Sequence, residues 1–124
     1  EWSLSEPGID LIILGLGAND MLRGIQPNET EKNLEGIIKI AKDKKIKIIL
    51  AGMVAPTTHG AKYKKTFDEI YPKLSEKYHL PFIPFLLEGV ALKADLNQQD
   101  GIHPNKEGTI VISNTIQKKI LENY

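Results

Sequence analysis

The chain has no cysteine, a single tryptophan, a single arginine and no net charge. Without cysteine there can be no disulfide framework, no thiolate metal ligand and no cysteine nucleophile. Sixteen Lys and Arg balance sixteen Asp and Glu, which argues against a nucleic-acid backbone binder, since that needs a basic excess or stripe. Every basic residue but Arg23 is a lysine, set mostly on helical segments among acidic neighbours, the pattern of a solvated surface. The longest apolar runs, residues 11–16 and 46–53, are too short to form a spanning helix, so no integral membrane segment is expected. No signal peptide is visible. These absences leave the compartment open, because the chain opens at Glu1 rather than a methionine. What is present is ordinary: 124 residues, 41% hydrophobic and 26% charged, enough for one folded domain.

Residues 10–17 form a continuous apolar run ending in glycines, as in a strand buried on both faces. Pro27 and Asn28 open a helix that Asn28 can cap, with Glu31 three residues on and Leu34, Ile37, Ile38 and Ala41 as its apolar stripe. Residues 45–53 repeat the strand pattern, and residues 56–60 read as a loop. Tyr63, Phe67, Ile70, Tyr71, Leu74 and Tyr78 recur at helical spacing over about five turns, and Pro72 inside that span predicts a kink or break. A third, proline-flanked strand is expected over 80–86, a short helix over 87–92 and a loop over 95–104. Asn105 is expected to cap a final helix with a stripe of Ile112, Ile116 and Ile120. Alternating strands and helices imply a parallel sheet covered by helices. Ligands of such sheets collect at the carboxyl ends of the strands.

Two clusters fall at those ends. Gly17-Ala18-Asn19-Asp20 follows the first strand. Gly15-Leu16-Gly17 starts a dinucleotide-binding glycine pattern, but Asp20 stands at the third glycine position and the next helix is expected well beyond the turn. The other readings are a plain turn, or an Asn19 amide aimed into a cleft as an oxyanion donor. Asp100-Gly101-Ile102-His103-Pro104-Asn105 is the second cluster. A carboxylate and an imidazole three residues apart can hydrogen-bond, which orients the ring as a base. An Asx-type turn leading into a helix cap explains the same residues. The scattered His59, His79 and His103 show no metal-ligand spacing, and His79 is expected at a helix end.

Taken together, these clusters resemble those of the SGNH, or GDSL-type, hydrolases, in particular the bacterial thioesterase, lysophospholipase and arylesterase branch. Gly17-Ala18-Asn19-Asp20-Met21-Leu22-Arg23-Gly24 is similar to that family's G-x-N-D block, and Asp100-Gly101-Ile102-His103 to its D-x-x-H block. Ile70-Tyr71-Pro72-Lys73-Leu74 and Leu80-Pro81-Phe82-Ile83-Pro84-Phe85 are similar as well. The resemblance implies a three-layer α/β/α, flavodoxin-like fold and a serine acyl hydrolase of small acyl esters or thioesters, with no metal and no organic cofactor. It implies Asn19 as oxyanion donor, His103 as general base then acid, and Asp100 as the group orienting it. Gly17 would let the backbone pass close beneath the site, and Leu22, Met53 and Pro56 would contact substrate. The loop from Leu22 to Pro27 takes the place of a family loop that moves on substrate binding. Members of this branch are often exported, so a periplasmic or secreted location is in keeping with the resemblance.

The chain also departs from that pattern. Its serines are Ser3, Ser5, Ser75 and Ser113, and none follows a strand in a Gly-Asp-Ser turn. The second-block glycine of the family has no counterpart either. Residues 1–4 resemble the end of the helix before the family's third strand. The expectation is therefore residues 1–124 as the C-terminal part of a longer SGNH domain, lacking two N-terminal strands and the nucleophile, and nearly inert alone. Residues 11–16 would then form an uncovered edge, open to self-association or to a separate N-terminal fragment. A non-catalytic, truncated flavodoxin-like module acting in binding or assembly is the rival reading.

Overall fold

The computed structural model describes residues 2–124. Three strands, β1 (Leu11–Leu14), β2 (Lys47–Ala51) and β3 (Phe82–Ile83), form a parallel sheet in the order β1-β2-β3. The helices are α1 (Ala18–Leu22), α2 (Pro27–Asp43), α3 (Ala61–Asp68), α4 (Ile70–Tyr78) and α5 (Lys106–Asn123). Short 3-10 turns occupy Trp2–Ser5, Thr57–His59 and Ala94–Leu96. The result is a sheet with helices on both faces, the three-layer α/β/α arrangement.

Register decides what each face buries. Ile12 pairs with Ile48 and Leu14 with Leu50, and alternation along a strand turns these side chains to one face. There they join Leu34, Ile38 and Ala41 of α2, Phe67 of α3, and Ile70, Tyr71 and Leu74 of α4. On the opposite face Ile49, Ala51 and Ile83 pack with Leu11, Leu86, Ile116 and Ile120. This second layer is thin, and Gly108 is the one buried residue of α5. Ile13, opposite Ile49 in register, is 37% exposed, and Leu121 is 72% exposed. The outer edge of β1 pairs with no strand among the described residues.

Several boundaries differ from expectation. A short helix, α1, begins immediately after Gly17, where no helix was expected before Pro27. Asn28 does not cap α2: the helix starts at Pro27, with Gln26 at the cap position and no side-chain cap bond. Proline at the first helical position has a preset φ and no N–H to satisfy, so it starts the helix by itself. The expected five-turn helix is divided at Glu69 into α3 and α4. Pro72 has no N–H for the Asp68 carbonyl and crowds it, which breaks the helix a turn upstream of the proline.

The third strand is two residues long rather than spanning 80–86, since Pro81 and Pro84 cannot donate to a ladder. The chain beyond β3 still holds to β2 through Leu86 N–H on the Gly52 carbonyl at 3.0 Å. Residues 87–92 make turns instead of a helix, closed by Val90 and Ala91 N–H on the Leu87 carbonyl, each at 2.9 Å. The 95–104 stretch carries a 3-10 turn and a bridge between Asn97 and Pro104. At the N-terminus, Trp2–Ser5 is a 3-10 turn rather than the end of an α-helix, and Glu1 lies outside the described residues. Among the described residues no helix is long and apolar enough to cross a membrane.

Candidate active site

The connections that follow the three strands carry Gly17, Asn19 and Leu22 after β1, Met53 and Pro56 after β2, and Asp100 and His103 after β3. After β1 the chain turns at Gly17, whose φ of 116° is costly for any side-chain-bearing residue. A second reason also demands glycine here, because a Cβ would collide with the Tyr71 hydroxyl. That hydroxyl donates to the Leu16 carbonyl at 2.7 Å. Burial, followed by the Asp20 charge, raises the Tyr71 pKa well above that of a free phenol, so it remains a donor. Asp20 in turn accepts from the hydroxyl of Thr30, a buried residue of α2, at 2.8 Å.

Asn19 sits in the first turn of α1 between these two supports. It lines a cleft of about 370 Å³ together with Gly15, Leu16, Gly17, Asn33 and Ile37. Leu22, at the end of α1, is exposed. The loop that follows is tied by the Tyr63 hydroxyl, which donates to the Ile25 carbonyl at 2.7 Å. His59 packs against Tyr63 with the rings tilted by 59° and their centroids 5.2 Å apart.

The β3–α5 connection presents the second cluster. His103 Nδ1 and Asp100 Oδ2 are 2.6 Å apart, a bond that fixes the ring with Nδ1–H toward the carboxylate. The other carboxylate oxygen, Asp100 Oδ1, accepts from the backbone N–H of Ile102 at 2.9 Å and of His103 at 3.0 Å. The two readings of D-x-x-H are thus compatible, since one carboxylate makes the Asx turn and orients the imidazole. Hydrogen bonds from the His103 side chain, then its backbone N–H and that of Ile102, hold the Asp100 carboxyl at about 2 instead of 3.8. The imidazole is 70% exposed, and its Nε2 bonds no described residue. Asn105 caps α5 as expected, with Oδ1 accepting from Gly108 N–H at 2.9 Å.

The structure therefore brings Asp100 and His103 into direct contact and sets Gly17 and Asn19 in one cleft. Asp100 and His103 do not line that cleft. Met53 is buried in the core and Pro56 is exposed at the start of the Thr57–His59 turn. Of the serines, Ser5 lies in the first 3-10 turn, Ser75 lies in α4 and donates to the Leu80 carbonyl, and Ser113 lies along α5. Sequence reasoning missed Thr30 and the supporting role of Tyr71. Thr30 offered no distinguishing signal, and Tyr71 occupies a helical stripe position that core packing alone would explain.

Comparison with known proteins bears on the same blocks. The chain is 37% identical over 109 residues to thioesterase 1/protease 1/lysophospholipase L1 of Escherichia coli K12, covering 88% of this chain and 52% of that protein. It is 34% identical over 113 residues to an arylesterase of Vibrio mimicus, covering 91% of this chain and 56% of the relative. It spans about half the length of these curated relatives. Among solved structures, TesA superposes with a TM-score of 0.87 at 28% identity, over 96% of this chain and 66% of that one. AlinE4, an SGNH-hydrolase family esterase, superposes with a TM-score of 0.74 at 43% identity, over 95% and 63%. The GDSL-like lipase/acylhydrolase family profile matches residues 2–109, and the chain belongs to that family.

Proposed function

We propose that this chain supplies the oxyanion donor and the His–Asp pair of an acyl hydrolase acting on esters or thioesters. The reading rests chiefly on the 2.6 Å bond from His103 to an Asp100 carboxylate that is itself held by two backbone N–H groups. Membership of the family and the names of the relatives, among them an arylesterase and a thioesterase, support the reaction class. The nucleophile is a serine hydroxyl from a segment outside residues 1–124, which form the C-terminal part of one SGNH domain.

Support for that segment comes from the second sheet face. The β1 edge lacks a described partner, and Ile13, Leu16, Ile110 and Leu121 are exposed around it and along α5. A strand added beside β1, with a helix laid over α5, would cover these groups. It would also carry its own carboxyl end to the rim beside Asn19.

In the completed site, His103 Nε2 removes the serine proton as the hydroxyl adds to the acyl carbon, and Asp100 stabilises the resulting imidazolium. The Asn19 amide N–H donates to the carbonyl oxygen as it becomes an oxyanion. His103 then protonates the leaving alkoxide, aryloxide or thiolate. Water, activated by the same imidazole, hydrolyses the acyl-serine ester and frees the acid. Leu22 and Pro56 offer exposed surface for the acyl group, whereas Met53 is buried in the core and offers none.

The test is p-nitrophenyl acetate hydrolysis by the chain alone and by the chain fused to an N-terminal segment that carries the Gly-Asp-Ser block typical of the family. The chain alone should be inert and the fusion active and labelled by a fluorophosphonate. In the fusion, His103→Ala should lower turnover by about a million-fold and Asn19→Ala by about a hundred- to a thousand-fold. A folded fusion that neither turns over nor labels refutes the reading in favour of a non-catalytic module. So does hydrolysis by the chain alone that survives His103→Ala.

A further inference from the structure

Asp100 and His103 lie at the tip of an exposed hairpin, with little apolar packing around them. Its arms are bridged between Asn97 and Pro104, and Gln98 N–H donates to the His103 carbonyl at 2.7 Å. The turn is closed by Gly101 N–H on the Gln98 carbonyl at 2.9 Å. With so little buried surface, the tip can be only as well placed as its base.

We propose that the side-chain amides of Asn97 and Asn105 are positioning groups that clamp the base of this hairpin and so preset the Asp100–His103 pair. Asn97 Nδ2 donates to the carbonyls of Val90 and Lys93, both at 2.8 Å. This fastens the outgoing arm to a turn anchored by Val90, which is fully buried. Asn105 Nδ2 donates to the Asp95 carbonyl at 2.8 Å and, at 3.4 Å, to that of Asn97, joining the returning arm to the outgoing one. Its backbone N–H adds a third tie, to the Leu96 carbonyl at 3.0 Å.

Helix capping alone does not account for these contacts. A cap needs only the oxygen that accepts from Gly108 N–H, and serine, threonine or aspartate would supply one. The amide brings two N–H donors as well, and from the returning arm they reach the Asp95 and Asn97 carbonyls of the outgoing one. Gly108 belongs to the same arrangement, because a Cβ there would run into the Leu96 carbonyl. The first turn of α5 is thus seated on the hairpin base, and Asn105 links the two.

The proposal deepens the acyl-hydrolase reading and rests on it for the meaning of His103, but its test does not depend on turnover. Asn105→Ser keeps a capping oxygen and removes the donors. In the chain as it is, α5 should remain helical by circular dichroism. Exchange of the Gln98 amide should accelerate by about tenfold or more. The midpoint of the Asp100 carboxyl, read by carbon NMR, should climb from about 2 toward 3.8 as its bonds from His103 and Ile102 loosen. Asn97→Ser should move both readouts in the same direction.

If Asn105→Ser leaves Gln98 exchange and the Asp100 midpoint unchanged, Asn105 is a cap and the proposal fails. If that variant does not fold, the same null result in Asn97→Ser overturns it. Loss of the clamp in a fusion that never hydrolyses ester would sink the acyl-hydrolase reading while leaving the clamp standing.

Discussion

The two faces of the sheet are built to different standards. Against the first, α2, α3 and α4 bury Leu34, Ile38, Phe67, Tyr71 and Leu74 almost completely. Against the second, α5 contributes Ile116 and Ile120 but leaves much of its apolar side and β1's Ile13 open to solvent. The well-packed face carries the supports of Asn19, while the thin one is joined to the hairpin of Asp100 and His103 through Asn105. The first half-site is held by hydrogen bonds from side chains fixed in the core, Tyr71 and Thr30, whereas the second relies on hydrogen bonds within an exposed loop.

Core truncation sharpens this contrast most. Phe67→Ala, at a fully buried position, should cost about 3–5 kcal/mol in urea unfolding. Tyr71→Phe should cost about 0.5–1.5 kcal/mol, because it removes the hydrogen bond to the Leu16 carbonyl. It should also speed amide exchange across 17–21.

A smaller effect is expected on acidification. Hydrogen bonds from Lys77 and then Tyr78 hold the Glu35 carboxyl at about 2 rather than 4.5, tying α2 to α4. A carboxyl with a lowered folded pKa stabilises fully above its unfolded value. That contribution is lost as pH falls from about 4.5 toward 2. Glu35→Gln should flatten the stability profile across that window. Smallest of all, Leu121→Ala on the thin face should change stability by no more than about 0.5 kcal/mol. A cost near that of Phe67→Ala would show that α5 is already packed and would erase the distinction between the faces.

Much of this was legible in the sequence because one physical signal governed it. Continuous apolar runs marked β1 and β2, and the Leu34–Ile38–Ala41 spacing marked the buried side of α2. The boundaries were read less well, because single residues moved them. Pro27 displaced Asn28 from the cap, Pro72 divided a helix upstream of itself, and Pro81 and Pro84 trimmed β3. At the site, Asp100 and His103 could be read because a spacing of three residues lets them meet locally. The bond from Tyr71 to Leu16 spans 55 residues, and no local pattern announces a contact of that range.

Gly17 and Tyr71 also constrain one another as a single unit. A methyl group at Gly17 would meet the phenolic oxygen, while the ring carbon behind it stands 3.4 Å away, at ordinary contact distance. Gly17→Ala should therefore be tolerated better beside phenylalanine than beside tyrosine, although its φ of 116° would still be strained. Any lineage that abandons the hydroxyl loosens its hold on the glycine, and substitutions at the two sites should be inherited together rather than independently.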